Sequence, residues 1–243
     1  MKNRFNSHTS PSRKAFTLIE MLVVVVIMST LLGIGAQVMK NTTTAQGTDT
    51  AASKAESLFA EARSLAKTSG SSTRVVIYKG GGTGEERAKH LRYMGIVGQQ
   101  QDADGFYLKD GDGNPEFKDQ LKARGVQLPP KVFFNANLSG GTDLATMDVK
   151  IPGFDVPQEC YYYEFNDAGF LFVDPPHPAN DPDPVGVFVV QSGTLYPTDD
   201  TPKEAKKGSL DVGGFAIWKR GNTTLFRAPS QIPDLSNSED PKF

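Results

Sequence analysis

The sequence predicts an α+β protein: a long N-terminal helix, membrane-spanning in its first half, packed on a mainly antiparallel β-sheet domain. Three observations lead there. Residues 16–39 are almost unbroken apolar sequence, with Glu20 as the single charge. Residues 51–67 carry an apolar stripe at helical spacing. From residue 69 onward, short β-branched and aromatic runs are punctuated by turn-forming Gly and Pro, and no helical pattern alternates with them.

The first element is set by hydropathy and charge. Residues 1–15 carry Lys2, Arg4, Arg13 and Lys14 and no acid, which is +4. The formal net charge of the whole chain is −2, so residues 16–243 hold −6. As a helix, residues 16–39 extend about 36 Å at about 1.5 Å per residue, and a bilayer core needs about 30 Å. The basic flank places residues 1–15 in the cytoplasm and the body beyond the inner membrane. An ordinary secretory signal has a shorter apolar core and a small-residue cleavage site after it, and neither fits. A plain signal anchor fits the length but not Glu20. A carboxylate at the centre of a membrane helix costs about 2.5–3.5 kcal/mol, less near the edge, and calls for a partner. A free amine at Phe16 is such a partner, and it exists only if the chain is cut between Ala15 and Phe16.

Arg13-Lys14-Ala15-Phe16-Thr17-Leu18-Ile19-Glu20 resembles the class III signal of type IV pilins and type II secretion pseudopilins. The resemblance implies a pilin-like fold and cleavage by a prepilin peptidase on the cytoplasmic side. It makes Ala15 the residue before the cut, Phe16 the methylated N-terminus and Glu20 the assembly carboxylate. The family usually carries Gly where Ala15 stands; Ala is the next smallest side chain. The implied partners are the prepilin peptidase, other pilins or pseudopilins, an inner-membrane assembly platform and membrane lipid. The implied product is a single-pass inner-membrane protein with a periplasmic domain, extracted into a pilus-like fibre.

The expected organisation is a leader over 1–15, a transmembrane helix over 16–40, an amphipathic helix over 41–68 and a β-rich periplasmic domain over 69–243. Residues 41–50 are poor helix formers; they read as a weak zone that melts or bends in a filament, or as a simple break. The stripe Ala51, Ala55, Leu58, Ala62 and Leu65, widened by Phe59 and Ala66, defines one core-facing side. Expected strands are 73–78, 91–97 (a hairpin with the first), 106–109, 131–135, 161–166, 170–173, 185–191, 215–220 and 224–227. Residues 115–124 read as one or two helical turns. Asn166–Gly169 and Gly221-Asn222 read as turns, residues 174–184 as a Pro-rich loop, and the tail from 229 as loose. Two segments extend the resemblance. Ala62-Arg63-Ser64-Leu65-Ala66 followed by Arg74–Tyr78 is similar to the helix-to-strand passage of H-type minor pseudopilins. Tyr163–Gly169 is like the aromatic-turn-Gly element of the same group.

The remaining chemistry is sparse. Asp102 and Asp104, and Asp110, Asp112 and Asn114, sit in Asp-Gly runs that resemble calcium loops. The second run fits the first three ligand positions of an EF-hand but then places Pro115 at the glycine position and Leu121 at the final glutamate position. Ordinary Asp-Gly turns are the expected reading, with no cofactor. His8, His90 and His177 lack zinc spacing. The single cysteine, Cys160, sits in an apolar segment and is expected to be buried and inert. Tyr161–Tyr163 and Trp218 are expected to pack in the sheet rather than form a binding face. A mildly acidic body does not suggest a nucleic-acid binder, and no P-loop, dinucleotide or nucleophile-elbow motif is present. Three classes compete. The first is a structural subunit, a minor pseudopilin of a type II secretion or related fibre. The second is a type IV minor pilin with a binding role in adhesion or DNA uptake. The third is an anchored enzyme, disfavoured because no catalytic set is present.

Overall fold

The computed structural model describes residues 18–81, 84–111, 113, 115–122, 125–140, 144–172, 184–196, 199, 201–204 and 210–232, leaving aside the side chains of 32–46, 85, 119 and 120. The chain divides into two units, residues 1–43 and 44–243. Helix α1, Leu18–Ser69, contributes to both.

In the first unit, every described side chain from Leu18 to Leu31 is exposed. Among the described residues no helix is long and apolar enough to cross a membrane. The span expected over 16–40 lies in part outside them: residues 16 and 17 and the side chains of 32–40.

The second unit begins with α1 still helical through the weak zone, since residues 44–50 are α-helix. Two contacts hold that stretch, and a third fixes one of their partners. Thr48, which is buried, donates from Oγ1 to Asp211 Oδ1 at 3.3 Å. Ser192 Oγ donates to the other oxygen of Asp211 at 2.6 Å. Asp49 pairs with Arg227 at 3.3 Å. Tertiary partners therefore override the poor intrinsic propensity of Thr and Asp here.

Strand β1 (Thr73–Tyr78) leads through helix α2 (Glu85–Lys89) to β2 (Tyr93–Gln99). The expected hairpin partner is thus antiparallel to β1, although the connection holds a helix and not only the glycine turn. Then follow β3 (Phe117–Leu121), β4 (Val126–Gln127), β5 (Val132–Phe134), β6 (Thr146–Val149), β7 (Gln158–Phe165) and β8 (Leu171–Phe172). The chain closes with β9 (Gly186–Thr194), β10 (Lys203–Glu204), β11 (Val212–Ile217) and β12 (Thr223–Phe226). All pairings between these strands are antiparallel.

The strands form two sheets. One has the order β3-β2-β1-β7-β6, with β4 on β2 and β8 on β7; the other runs β10-β9-β11-β12, with β5 on β9. Register explains which side chains meet. Val75 stands opposite Ile96 and Tyr163, and Ile77 opposite Met94 and Tyr161, so these six share the face turned to the helix. The stripe of α1 lies against it: Ala51, Ala55, Leu58, Phe59, Ala62 and Ala66 are all buried. The second sheet supplies Phe188, Val190, Phe215 and Ile217 to the same core.

Two expectations are corrected. Residues 106–109 are not a strand; they make only isolated bridges, Gln101 with Tyr107 and Lys109 with Pro115. Of the expected helical stretch 115–124, residues 115–122 are not helical, and 123–124 lie outside the described residues: β3 pairs with β2, Val97 opposite Leu121 and Gln99 opposite Phe117. A four-residue spacing between Phe117 and Leu121 is an even number, so it lies on one face of a strand as readily as on one face of a helix. Strands β4, β6 and β10 had no counterpart in the sequence reading. The Pro-rich loop over 174–183 and the tail from 233 lie outside the described residues.

Truncating the ring that touches both sheets tests this packing. Phe59→Ala removes edge contacts to Tyr163 and Phe165 in one sheet and to Phe188 and Phe215 in the other. The expected loss is about 4 kcal/mol, read from denaturant unfolding of the full chain followed by circular dichroism.

Candidate functional site

The residues expected to carry processing sit at the start of the chain. Ala15 and Phe16 lie outside the described residues. Glu20 is in the first turn of α1 and exposed, where a carboxylate complements the positive end of the helix dipole. Around it the helix shows apolar side chains on all sides, including Leu18, Ile19, Met21, Leu22 and Val23. A helix apolar all round needs an apolar environment, lipid or other protein.

The polar groups of this stretch are satisfied within it. Ser29 Oγ donates to Val25 O at 2.8 Å, and Thr30 Oγ1 donates to Ile27 O at 2.8 Å. Both hydroxyls thereby avoid the cost of an unpaired donor in a medium without water.

The acidic loops are placed as follows. Asp102 caps its own turn: Oδ1 accepts from the amides of Asp104 at 3.0 Å and Phe106 at 2.8 Å. This is the expected Asp-Gly turn, with Gly105 at φ 87°. Asp104 and Asp110 are exposed, and Asp112 and Asn114 lie outside the described residues. Among the described residues no three His, Cys, Asp or Glu side chains gather as a metal site. His90 is buried with Nε2 3.2 Å from Asp199 O; His8 and His177 lie outside the described residues.

Cys160 is fully buried on the outer face of the first sheet, between Val76, Tyr78 and Val149. Burial is the main cause that pushes its thiol up to about 12, helped by Asp148 and Glu159. Tyr161 and Tyr163 are core residues, as expected. The Tyr163 hydroxyl donates to Val187 O at 2.7 Å, tying one sheet to the other.

Sequence reasoning missed one built feature. Arg74 on β1 stands opposite Glu164 on β7. Its Nε and a terminal nitrogen each lie 2.8 Å from Glu164 Oε2. The guanidinium is sandwiched between the Phe117 ring at 3.7 Å and the Tyr162 ring at 3.9 Å. Burial raises the Glu164 carboxyl above its ordinary range, while Arg74 and Ser72 work against that rise. The available signal was a lone charge inside each of two β-rich runs, TRVVIY and YYYEF. An open cavity of about 520 Å³ beside β9 is lined by Asn135, Asn137, Gln191 and Lys203. Its buried amides are already paired: Asn135 Nδ2 donates to Gln191 Oε1 at 2.6 Å and Gln191 Nε2 donates to the backbone carbonyl of Pro202 at 3.2 Å. They brace the strand more than they offer donors to a ligand.

The N-terminal segment carries a motif shared with other proteins. Residues 10–36 match the family described as the prokaryotic N-terminal methylation motif. The match covers roughly a ninth of the chain and supports a type IV pilin-like or pseudopilin subunit. No curated protein and no solved structure matches the chain.

Cys160 gives a direct check on the body. In the folded chain it is expected to resist maleimide near neutral pH and to react fully once urea unfolds the protein, read by mass; rapid labelling of the native chain would contradict its burial.

Proposed function

We propose that the protein is a structural subunit, a minor pseudopilin, of a type II secretion or related pilus-like fibre. In this reading the chain is cut after Ala15, methylated at Phe16 and assembled through its N-terminal helix. The observation that carries it is the methylation motif over residues 10–36. The apolar surface from Leu18 to Leu31, with its hydroxyls bonded back to the helix, supports it. So does the buried stripe 51–66, which turns the second half of α1 into the spine of a sheet domain.

The subunit spans the inner membrane once, with residues 1–15 cytoplasmic and the β-rich domain periplasmic, until it is drawn into the fibre. Its partners are the prepilin peptidase, neighbouring pseudopilins or pilins, the inner-membrane assembly platform and lipid. It is not an enzyme and needs no cofactor; Asp102, Asp104 and Asp110 serve as turn residues. Glu20 pairs with the methylated amine of a neighbouring subunit, which offsets the cost of a carboxylate in hydrocarbon.

Two substitutions test the reading at separate steps. Ala15→Leu places a bulky side chain at the cut, so the precursor is expected to persist uncleaved in membrane fractions; a mature product of normal mass would sink the processing step. Glu20→Val removes the charge and leaves insertion intact, so incorporation into fibres is expected to fall by about tenfold or more, as loss of roughly 1.4 kcal/mol or more per contact implies. Unchanged incorporation would refute the pairing role while leaving processing untouched.

A further inference from the structure

We infer that two adjacent turns beside α1 form a docking surface for a second copy of this chain, which presents its Asp102–Phe106 loop to them. The turns are 166–170 and 218–222. Gly169 and Gly221 adopt φ of 74° and 75°, and their missing side chains let the turns close on the helix. A Cβ on Gly221 would lie 2.6 Å from Gly169 O and 2.9 Å from Arg63 Nε, and one on Gly169 would lie 2.5 Å from Lys67 Cε. Leu171 N–H donates to Lys219 O at 3.2 Å, which fixes the turns side by side.

This arrangement gathers Arg63, Lys67, Lys219 and Arg220 in one place. Among the described residues none of the four takes part in an ion pair. That is unusual on a body whose formal charge is −6. The one acid in these turns, Asp167, accepts the amide of Ala168. Exposed rings lie among the cations: Phe170, Phe172 at 57% and Trp218 at 37% exposure. Cations without ion-pair partners among exposed aromatic rings, of which Trp218 donates to Thr224 Oγ1 at 2.9 Å, are the chemistry of a protein interface.

Charge and shape name the occupant. The loop after β2 carries Asp102 and Asp104 beside Phe106, which is 71% exposed, the most exposed large apolar side chain among the described residues of the sheet unit. The Asp102 carboxylate, by holding the amides of Asp104 and Phe106, fixes this tip in one shape. The second turn follows β11, and the first follows β7, which like β2 runs antiparallel to β1, so the loop and the first turn leave the same end of that sheet. Among the described residues neither Asp102 nor Asp104 pairs with these cations within one chain, so the contact joins the loop of one copy to the turns of another. The inference does not depend on cleavage at Ala15.

Cysteine cross-linking of the full chain in detergent tests it. Cys160 is buried and stays silent. Asp104→Cys protein mixed with Lys219→Cys protein and oxidised is expected to give a covalent dimer, with about fivefold less from either variant alone. Adding Lys67→Glu and Arg220→Glu to the Lys219→Cys partner should cut the yield about fivefold, as should about 1 M salt, where charges are screened within about 3 Å. Equal yields in all pairings, or no dimer from the mixed pair while circular dichroism stays native, would overturn the inference. Trp218 is the single tryptophan. A shift of its emission on adding a single-stranded oligonucleotide, without the mixed-pair dimer, would assign the surface to nucleic acid and overturn it equally.

Discussion

The sheet unit depends on one ring. Phe59 projects from α1 and meets Tyr163 at 5.1 Å, Phe165 at 6.1 Å, Phe188 at 5.3 Å and Phe215 at 5.0 Å, each edge-on or nearly so. Two of those rings belong to one sheet and two to the other. A helix bearing small residues at Ala51, Ala55, Ala62 and Ala66 can approach both sheets closely, and the single large ring fills the space between them. Phe188 and Phe215 then stack on each other at 5.0 Å. Aromatic pairs of this kind add about 0.5–1.5 kcal/mol each beyond the area they bury. The strand register follows from this, because a shift by one residue would turn Tyr163 or Phe215 away from the ring.

What the sequence made legible was local and periodic. The stripe over 51–66 could be read because a helix buries one face only, and the turns at Asn166–Gly169 and Gly221-Asn222 because their glycines need positive φ. Strand β7 was visible as a run of tyrosines. What stayed hidden was set by partners distant in the chain. β6, with Thr146 and Asp148 exposed, is a strand because β7 offers it an edge. β10 is two residues long and exists through β9 alone. The Arg74–Glu164 pair joins residues ninety positions apart, and nothing in either run announces the other.

The candidate site divides along the same line. Its N-terminal portion is a linear signal, read by an enzyme and by neighbouring helices from a short contiguous stretch, and so it is legible without a fold. The surface formed by Arg63 and Lys67 on α1, the turn at 166–170 and the turn at Lys219 is assembled from three separated segments, so only the folded chain brings it together. A division of labour follows from that difference in the proposed reading. The first segment supplies processing and membrane insertion, while the sheet unit supplies the faces that distinguish this subunit from its neighbours. The weak helix formers at 41–50 sit between them, and Asp211 and Arg227 hold the C-terminal end of that stretch to the sheet.

The account rests most heavily on a new N-terminus at Phe16. Intact-mass and N-terminal peptide spectrometry of the protein purified from membranes measures it in one step. The account predicts a chain beginning at Phe16 and carrying one added methyl group on its amine. A chain that retains residues 1–15, or that begins at any residue beyond Glu20, would contradict it.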